Sequence, residues 1–421
     1  MSVCTDCGVS GSVLDGKVLF DSPLAHGKAM MRRMILPQPG LQSVTFRDRS
    51  PLVVAGMFRT GNGIGRAAMS CYEALLREGL SPLAVDLSDM FHQQEMESRI
   101  PLSPMPRSRN GTLILFANAP ETQRALMGLG LRRWHNWRII GAWAWELTVG
   151  PSGWARQARM LSEVWYPSHY VHGALHSQVS TFHRVVPHYV PAYTNLAPLK
   201  AEANNGTQLR VLSVADGRSS LPRKNLLAAI AMFRRAFPGR EKVELCVKCR
   251  NLRLHPDYQR EVMQAADEDA RIRIIDRTMP QDEYEALLVS SDVVISAHRA
   301  EGFGLHLAEA MASGKAVIAT GWSGNLEFMN PSNSILLPYR LTPVKDSSGI
   351  YKGYHGAQWA EAEIDAGAHA LRDLYDSPSS LESIAEAGRR SIGRTLTSSR
   401  YTDALFDRLA HEAPTLAGNN V

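Results

Sequence analysis

The 421 residues of this sequence contain no run of 18 or more apolar residues, so the sequence predicts no transmembrane helix. The first thirty residues contain Asp6, Asp15 and Asp21 and no continuous apolar core, which is not the pattern of a secretory signal. Cysteine is also scarce. Five cysteines leave one unpaired in any disulfide scheme, which fits a reducing compartment. We therefore expect a cytoplasmic protein.

Neither sign of charge is in large excess. The formal net charge of +5 is too small to indicate a nucleic-acid partner, although it suits an anionic substrate or a membrane surface. Metal-ligand patterns are equally weak. Cys4-x-x-Cys7 and Cys246-x-x-Cys249 imitate the halves of a zinc site, but the second pair lies in an alternating, strand-like stretch. Positions three apart on a strand point to opposite faces, so we expect no metal site.

The length exceeds that of a single ordinary core and predicts two domains. The first contains a buried strand at Pro51–Phe58, a glycine loop at Gly61–Arg66, a helix to Arg77 closed by Gly79, and a strand near Leu83–Leu87. A strand, loop, helix and strand in this order are typical of a parallel sheet. Further strands are predicted at Thr112–Ala117, Arg138–Trp143, Glu163–Tyr166 and Val185–Val190.

A stretch rich in Pro, Asn and Gly, Pro191–Thr207, reads as a linker to a second alternating series. Its predicted strands are Leu209–Ala215, Lys242–Val247, Arg271–Ile275, Asp292–Ser296 and Lys315–Thr320, and its helices are Lys224–Phe237, Pro256–Asp269 and Gln281–Val289. The chain from Trp359 onward is predicted to be helical. We divide the sequence into an irregular extension (1–50), a first lobe (51–195), a second lobe (208–375) and a helical tail (376–421). This describes a bilobal α/β protein with a cleft between the lobes, where ligands usually bind.

The stretch Ala297–Glu309 combines a strand end, a glycine turn and a helix start. Gly302 and Gly304 let the backbone approach a ligand, and the helical pattern from Leu305 to Ser313 ends before Gly314. The free N–H groups at such a helix start favour an anion. Glu301 and Glu309 would face the same site, and sugar hydroxyls are natural partners for these two carboxylates.

Two cations follow the first strand of the second lobe. Arg218 and Lys224 lie at the strand exit and at the start of the next helix, which suits a diphosphate; a solvated basic loop is the competing interpretation. Together with Glu301 and Glu309, they reproduce the polarity of a sugar nucleotide. In the first lobe, the spacing of Gly61, Gly63 and Gly65 is not the dinucleotide fingerprint. That loop is either a tight connection or a ligand-facing turn.

With these motifs, the chain resembles the GT-B retaining glycosyltransferases of family four, in a subgroup with a Trp-x-Trp-Glu element. The resemblance covers roughly residues 52–375. In the second lobe it rests on Arg218…Arg223-Lys224-Asn225, His298-Arg-Ala-Glu-Gly-Phe-Gly304, Glu309-Ala-Met-Ala312 and Gly321-x-Ser-Gly-Asn325. In the first lobe it rests on Gly63-Ile-Gly-Arg66, Trp143-Ala-Trp-Glu146 and Val164-Trp-Tyr-Pro-Ser168.

The resemblance implies a GT-B fold of two Rossmann-like lobes and a role for each site residue. Glu309 would bind the ribose, Glu301 would lie beside the donor sugar, and Arg218 and Lys224 would neutralise the leaving diphosphate. The loop Gly302-Phe303-Gly304-Leu305 would bind sugar hydroxyls or phosphate oxygens through its N–H groups. Gly63 and Gly65 would approach the donor phosphate. Glu146 and Asn118 are candidates for the acceptor side. No cofactor or metal is expected, because the nucleotide diphosphate sugar is a substrate and no Asp-x-Asp pair suited to a metal diphosphate stands out.

The implied function is retaining transfer of a hexose, of the mannose or glucose type, to a glycan or lipid-linked acceptor in cell-surface polysaccharide synthesis. The alternatives are a non-catalytic sugar-nucleotide-binding module and an epimerase or hydrolase. Other residues keep two interpretations each: Glu146 as a structural carboxylate, His298 as a core histidine, and the tryptophans Trp134, Trp137, Trp143 and Trp145 as core. The stretch Arg132–Arg138 is either a solvated basic loop or a peripheral contact with the inner face of a membrane.

Overall fold

The computed structural model describes residues 50–130, 134–191, 209–239, 241–354 and 356–406. Apart from Ser50 and Pro191, the predicted extension and the predicted linker lie outside these residues, as do Cys4, Cys7 and the end of the tail. None of the described helices is both long and apolar enough to cross a membrane.

The first lobe is a six-stranded sheet in the order β2-β1-β3-β4-β5-β6, with all its pairings parallel. In chain order its elements are β1 (Leu52–Gly56), α1 (Gly63–Arg77), β2 (Leu83–Asp86), β3 (Asn110–Leu115), α2 (Ala119–Leu129), β4 (Asn136–Ala142), α3 (Trp154–Ala158), β5 (Glu163–Tyr166), α4 (His169–Leu175) and β6 (His183–Val185). All five residues of β1 are buried because the sheet is covered on both faces: Val53 and Ala55 join one apolar cluster, and Leu52 and Val54 another. A strand was predicted at Val185–Val190, but the observed strand β6 ends at Val185, the first residue of that range.

The second lobe repeats this architecture in the order β12-β11-β10-β7-β8-β9, also with parallel pairings. Its elements are β7 (Leu209–Asp216), α5 (Leu221–Lys224), α6 (Leu226–Ala236), β8 (Val243–Arg250), α7 (Pro256–Asp267), β9 (Ile272–Ile275), α8 (Gln281–Ser290), β10 (Val293–Ser296), α9 (Leu305–Ala312), β11 (Ala316–Thr320), β12 (Ile335–Leu337), β13 (Tyr339–Pro343) and β14 (Gln358–Ala362). Strand β8 runs three residues beyond its predicted end, because Lys248 and Arg250 continue the ladder opposite Val214 and Asp216.

Two further secondary-structure predictions need correction, and one element was missed. The single helix predicted at Lys224–Phe237 is two helices, α5 and α6, because Asn225 between them adopts a left-handed conformation with φ 56°. Trp359, predicted as helical, lies in β14, which pairs antiparallel with β13. Its indole is 1% exposed, so burial against the sheet outweighs the helical pattern of the flanking residues. The hairpin β13–β14 as a whole was not predicted.

The helical tail consists of α10 (Ile364–Asp376), α11 (Pro378–Thr395) and α12 (Ser399–Leu405). The first two pack on the second lobe, against α6 and α9. The last helix returns to the first lobe and packs on α1, with the ring of Tyr401 6.0 Å from that of Trp165. The chain therefore passes twice between the lobes.

Two predictions about side chains are confirmed and one is wrong. Cys246 and Cys249 belong to apolar clusters on opposite faces of the second sheet, as the strand pattern requires. The four tryptophans Trp134, Trp137, Trp143 and Trp145 are buried. Arg138 does not belong to a solvated loop, because it is buried and its Nη2 lies 2.7 Å from Glu163 Oε2. Arg132 and Arg133 lie outside the described residues.

Candidate active site

A cavity of about 460 Å³ separates the two lobes at the C-terminal ends of their parallel strands. This volume is within the range of small-molecule sites. Most of the residues proposed from the sequence line it: Glu301, Arg218, Lys224, Glu309, Gly302, Phe303, Gly304, Leu305, Gly63 and Glu146. These residues are distant in sequence and meet because strands of one direction end at the same edge of a sheet.

Glu301 lies in the loop between β10 and α9 and is 6% exposed. Its Oε1 accepts a hydrogen bond from Lys224 Nζ at 2.5 Å, and its Oε2 lies 3.3 Å from Arg223 Nη1. Burial alone would raise the pKa of Glu301, but the charges of Lys224 and Arg223 outweigh burial and hold that pKa well below its usual range. Glu301 is therefore an ionised carboxylate at the bottom of the cavity.

The short helix α5 determines where the two cations point. Ser220 caps it by accepting a hydrogen bond from the Arg223 N–H at 3.2 Å, and the left-handed Asn225 ends it after one turn. Arg223 is 2% exposed, and its Nη1 also donates to the carbonyl oxygen of Ala300 at 2.6 Å. Arg223 thus fixes the backbone that precedes Glu301, whereas the Lys224 ammonium lies at the cavity surface.

The glycine turn after Glu301 is held by the first lobe. A Cβ at Gly302 would lie 2.9 Å from the carbonyl oxygen of Trp145, and Ser168 Oγ donates to the Gly302 carbonyl at 2.6 Å. Gly304 has φ 86°, a conformation that favours glycine, and it precedes α9. The N–H groups of Phe303, Gly304 and Leu305 donate to no acceptor within the described part of the chain. They are available to a ligand in the cavity.

Two of the proposed donor-binding residues contact charged residues of the opposite lobe. Glu309 is 4% exposed and forms an ion pair with Arg66 of α1, whose Nε lies 3.2 Å from Glu309 Oε1. Arg218 forms an ion pair with Glu95 of the first lobe. Glu95 also accepts a hydrogen bond from Arg250 Nη1 at 2.5 Å and from Thr60 Oγ1 at 3.0 Å. A carboxylate therefore contacts Arg218, one of the two cations that were predicted to bind a diphosphate.

The glycine loop of the first lobe combines a tight strand-to-helix connection with residues that line the cavity. Asn62 caps α1 by accepting from the Gly65 N–H at 2.7 Å. A Cβ at Gly65 would lie 2.4 Å from the carbonyl oxygen of Met57, so this glycine allows a tight strand-to-helix connection. Gly63 has no atom within 4 Å of such a Cβ and lines the cavity. Gly61 and Gly63 both line the cavity, whereas Gly65 does not.

The acceptor-side candidates differ in position. Glu146 lines the cavity, and its Oε2 accepts a hydrogen bond from Tyr351 Oη at 3.1 Å. Asn118 is absent from the cavity lining, and its Oδ1 accepts from the Ala144 N–H at 2.9 Å, which fixes the Trp-x-Trp-Glu backbone. His298 is fully buried, with Nε2 3.1 Å from Asn325 Oδ1. The core interpretation of His298 is confirmed.

Comparison with known proteins agrees with this arrangement. The family model described as Glycosyl transferases group 1 matches residues 214–348, within the second lobe. No curated protein matches the chain in sequence. Similar solved structures include HepE from Anabaena in complex with UDP and glucose (TM-score 0.59, 14% identity, 85% of this chain and 98% of that chain covered) and sucrose-phosphate synthase from Thermosynechococcus elongatus (0.58, 14%, 86% and 99%). A glycosyltransferase from Rickettsia africae is similar to the same extent (0.59, 14%, 87% and 100%).

The chain has the GT-B fold. The fold predicted from the resemblance is thereby confirmed, whereas family four and the Trp-x-Trp-Glu subgroup stay predictions. At this GT-B cleft, the structure also identifies residues to which the sequence assigned no role of their own: Arg223, Lys248, Arg250, His306 and Tyr351 line it, and Glu95 contacts Arg218 and Arg250. Of these residues, Arg223 could have been proposed from sequence, because it directly precedes Lys224 in a quoted motif.

His306 is the second residue of α9, and it lines the GT-B cleft. Burial, and next the charge of Lys224, lower the pKa of His306 to about 3. Its Nε2 has no hydrogen-bond partner among the residues that the structure describes. The imidazole is therefore neutral near pH 7, so it adds no third positive charge beside Lys224 and Arg223.

Proposed function

We propose that this GT-B protein is a glycosyltransferase that moves a hexose, of the mannose or glucose type, from a nucleotide diphosphate sugar to a glycan or lipid-linked acceptor. The observation that supports this best is the group of Glu301, Lys224 and Arg223 at the cavity floor, beside the free N–H groups of the glycine turn. This group combines a carboxylate for a sugar with cations for a diphosphate.

The electrostatics suit the bond that such an enzyme breaks. Cleavage of the anomeric C–O bond develops positive charge on the sugar and negative charge on the leaving diphosphate. In the proposal, Lys224 and Arg218 stabilise the diphosphate oxygens, so that no metal ion or cofactor is required. Glu301 is ionised and stabilises the sugar electrostatically, and Glu309 binds the ribose hydroxyls. The free N–H groups of Phe303, Gly304 and Leu305 bind phosphate or sugar oxygens.

The acceptor would enter from the first lobe. Glu146 lies on that side of the cavity and is positioned by Tyr351, so it is the candidate contact for the acceptor hydroxyl. We propose retention of the anomeric configuration and a place in cell-surface polysaccharide synthesis. A lipid-linked acceptor would bring a cytoplasmic enzyme to the inner face of the membrane. HepE, whose fold is similar, contains UDP and glucose in its structure, which supports a nucleotide sugar as the donor class.

The test begins with binding. Purified protein is heated in the presence of UDP, GDP, TDP, ADP and CDP, because a ligand that binds the folded state raises the melting temperature. The best nucleotide then directs an assay with its glucose and mannose derivatives, in which release of the nucleoside diphosphate is measured with and without a panel of glycan acceptors. Proton NMR of the product reports the anomeric configuration.

Matched variants connect the assay to the site. Glu301→Gln should abolish turnover and leave nucleotide binding largely intact, whereas the exposed Lys345→Met should change neither. Saturable nucleotide binding without turnover over the whole panel would instead indicate a non-catalytic binding module. Conversion of the donor without any acceptor would indicate an epimerase or hydrolase.

A further inference from the structure

Lys248 is a buried cation that the proposed chemistry does not use. The residue is 6% exposed, lies near the end of β8 and lines the cavity. No residue in the described ranges forms a hydrogen bond or an ion pair with its ammonium, which is accessible from the cavity. Burial, and then the charge of Arg250, lower its pKa, with Asp216 opposing them. Because Lys248 lines the cavity and its ammonium meets no acceptor in the described part of the chain, its donors are available to a ligand that supplies an acceptor.

The neighbouring polar groups are already engaged. Arg250, two residues along the same face of β8, binds Glu95 and Asp216 at 2.5 Å and 2.6 Å. Asp216 uses its other oxygen to accept from Asn251 Nδ2 at 3.1 Å and from the Arg218 N–H at 3.0 Å. Unlike Arg250, Lys248 on this face of β8 donates to no acceptor among the residues that the structure describes.

The strand order indicates which part of a ligand Lys248 meets. Glu301 follows β10, Lys224 follows β7, Lys248 is in β8, and Thr278 follows β9; these four strands are adjacent in this order. Adjacent strands lie roughly 4.8 Å apart, so β8 and β9 lie about 10 to 15 Å from β10. An extended sugar nucleotide with its sugar at Glu301 and its diphosphate at Lys224 would place its base over β8 and β9.

The charges around Lys248 agree with this order. Lys248 interacts electrostatically with Arg277 and Glu283, which flank the cavity-lining residues Thr278, Met279 and Gln281 in sequence. Glu309, the proposed ribose contact, interacts with Tyr284 of α8, beside the same segment. The ribose position and Lys248 thus adjoin the same end of the cleft.

We propose that Lys248 selects the donor's nucleobase by donating a hydrogen bond to a keto oxygen at C4 of a pyrimidine or at C6 of a purine. An ammonium has three donors and no acceptor, so it binds the 4-keto edge of uracil or the 6-keto edge of guanine. The amino groups at the same positions of cytosine and adenine cannot accept that hydrogen bond. The inference rests on the proposed function and assigns the donor to the keto-base nucleoside diphosphate sugars.

The experiment is calorimetric titration of the full chain and of Lys248→Met with UDP, GDP, CDP, ADP and inorganic pyrophosphate. Wild-type protein should bind UDP or GDP at least about tenfold more tightly than CDP and ADP, since a hydrogen bond from a charged donor has this magnitude. Lys248→Met should lose that preference and keep the affinity for pyrophosphate. The exposed Lys345→Met serves as the matched control and should behave as wild type.

Stability provides a second measurement. Met retains most of the side-chain volume and removes an unpaired buried charge, so Lys248→Met should melt at the same temperature as wild type or higher. An equal loss of affinity for every nucleotide and for pyrophosphate would overturn the inference and make Lys248 a phosphate contact. An unchanged base preference in Lys248→Met would also overturn it. Failure of wild-type protein to bind any nucleoside diphosphate would instead remove the proposed function itself, together with the inference.

Discussion

Lys224 and Glu301 form a hydrogen-bonded ion pair at 2.5 Å across the cavity floor, and they belong to the segments that follow two adjacent strands, β7 and β10. The pair combines the two charges that sugar transfer requires at one point of the cleft. Glu301 remains ionised because of Lys224 and Arg223, and the Lys224 ammonium stays at the surface of the cavity, where a diphosphate can reach it.

Removal of the Lys224 charge should affect turnover more than donor binding. We expect Lys224→Met to lower kcat by roughly 10²- to 10³-fold, the usual effect of losing one group that stabilises charge in the transition state. The melting temperature should also fall, because Glu301 stays buried with Arg223 as its remaining cation. Steady-state kinetics with separate kcat and KM values, and a thermal melt, measure both effects. A kcat within twofold of wild type would show that Lys224 is only a structural partner of Glu301.

Glu95 should compete with the donor for its cations. Its carboxylate contacts Arg218 and Arg250 in the structure, and a diphosphate at that position must displace it. We expect Glu95→Gln to bind nucleoside diphosphates about tenfold more tightly than wild type in a calorimetric titration, with a steeper loss of affinity as salt is added, because the two arginines then carry more net charge. Glu97→Gln, at an exposed position two residues away, is the control. Weaker binding by Glu95→Gln would mean that Glu95 positions the two arginines for the donor.

The alternating strands and helices were predictable because parallel strands covered on both faces are continuous apolar runs, as in β1, β10 and β11. The end of β8 was not predictable from sequence. Lys248 and Arg250 are charged residues inside a strand, and the local pattern of charged residues assigns them to a loop. The break between α5 and α6 depends on the left-handed backbone of Asn225. The side-chain amide of Asn225 donates to Glu361 at 3.2 Å, 136 residues later. No local window of sequence contains that contact.

The candidate site divides in the same way. Glu301, Lys224 and Glu309 could be placed together from sequence, because each follows a strand of the same sheet. The partners that the first lobe supplies could not be predicted. Arg66 and Glu309 are 243 residues apart, and Glu95 lies in an irregular segment without a motif. Their pairing depends on how the two lobes face each other, which residue periodicity does not encode.

The glycine loop allows a test that separates packing from ligand contact. Gly65→Ala should destabilise the protein by about 1 to 3 kcal/mol, because its Cβ would lie 2.4 Å from the Met57 carbonyl oxygen. Gly63→Ala should leave the urea midpoint unchanged or raise it slightly, since its Cβ meets no atom within 4 Å and the position is helical. The same Gly63→Ala change should weaken donor binding several-fold. Unchanged donor affinity would show that this loop is a tight connection alone.

Acid should destabilise the protein through buried histidines. Burial lowers the pKa of His188 to about 4 from an ordinary value of 6.5, and it lowers the pKa of His306 to about 3. Above pH 6.5 the histidines are neutral in both states and contribute no pH dependence. Between about pH 6.5 and 4 only the unfolded chain binds these protons, so the free energy of unfolding falls as the pH falls. Each histidine contributes up to about 1.4 kcal/mol per pH unit.

His188→Gln isolates one of these contributions. His188 Nδ1 lies 3.1 Å from Tyr401 Oη, and its ring contacts Phe303, so glutamine retains a polar group at the junction of α12 and the glycine turn. Urea denaturation at pH 7, 6 and 5 should show a slope against pH that is shallower than that of wild type by about 1 kcal/mol per unit at the acidic end. The exposed His369→Gln should retain the wild-type slope. Parallel curves for His188→Gln and wild type would show that His188 is protonated in the folded protein as readily as in the unfolded chain.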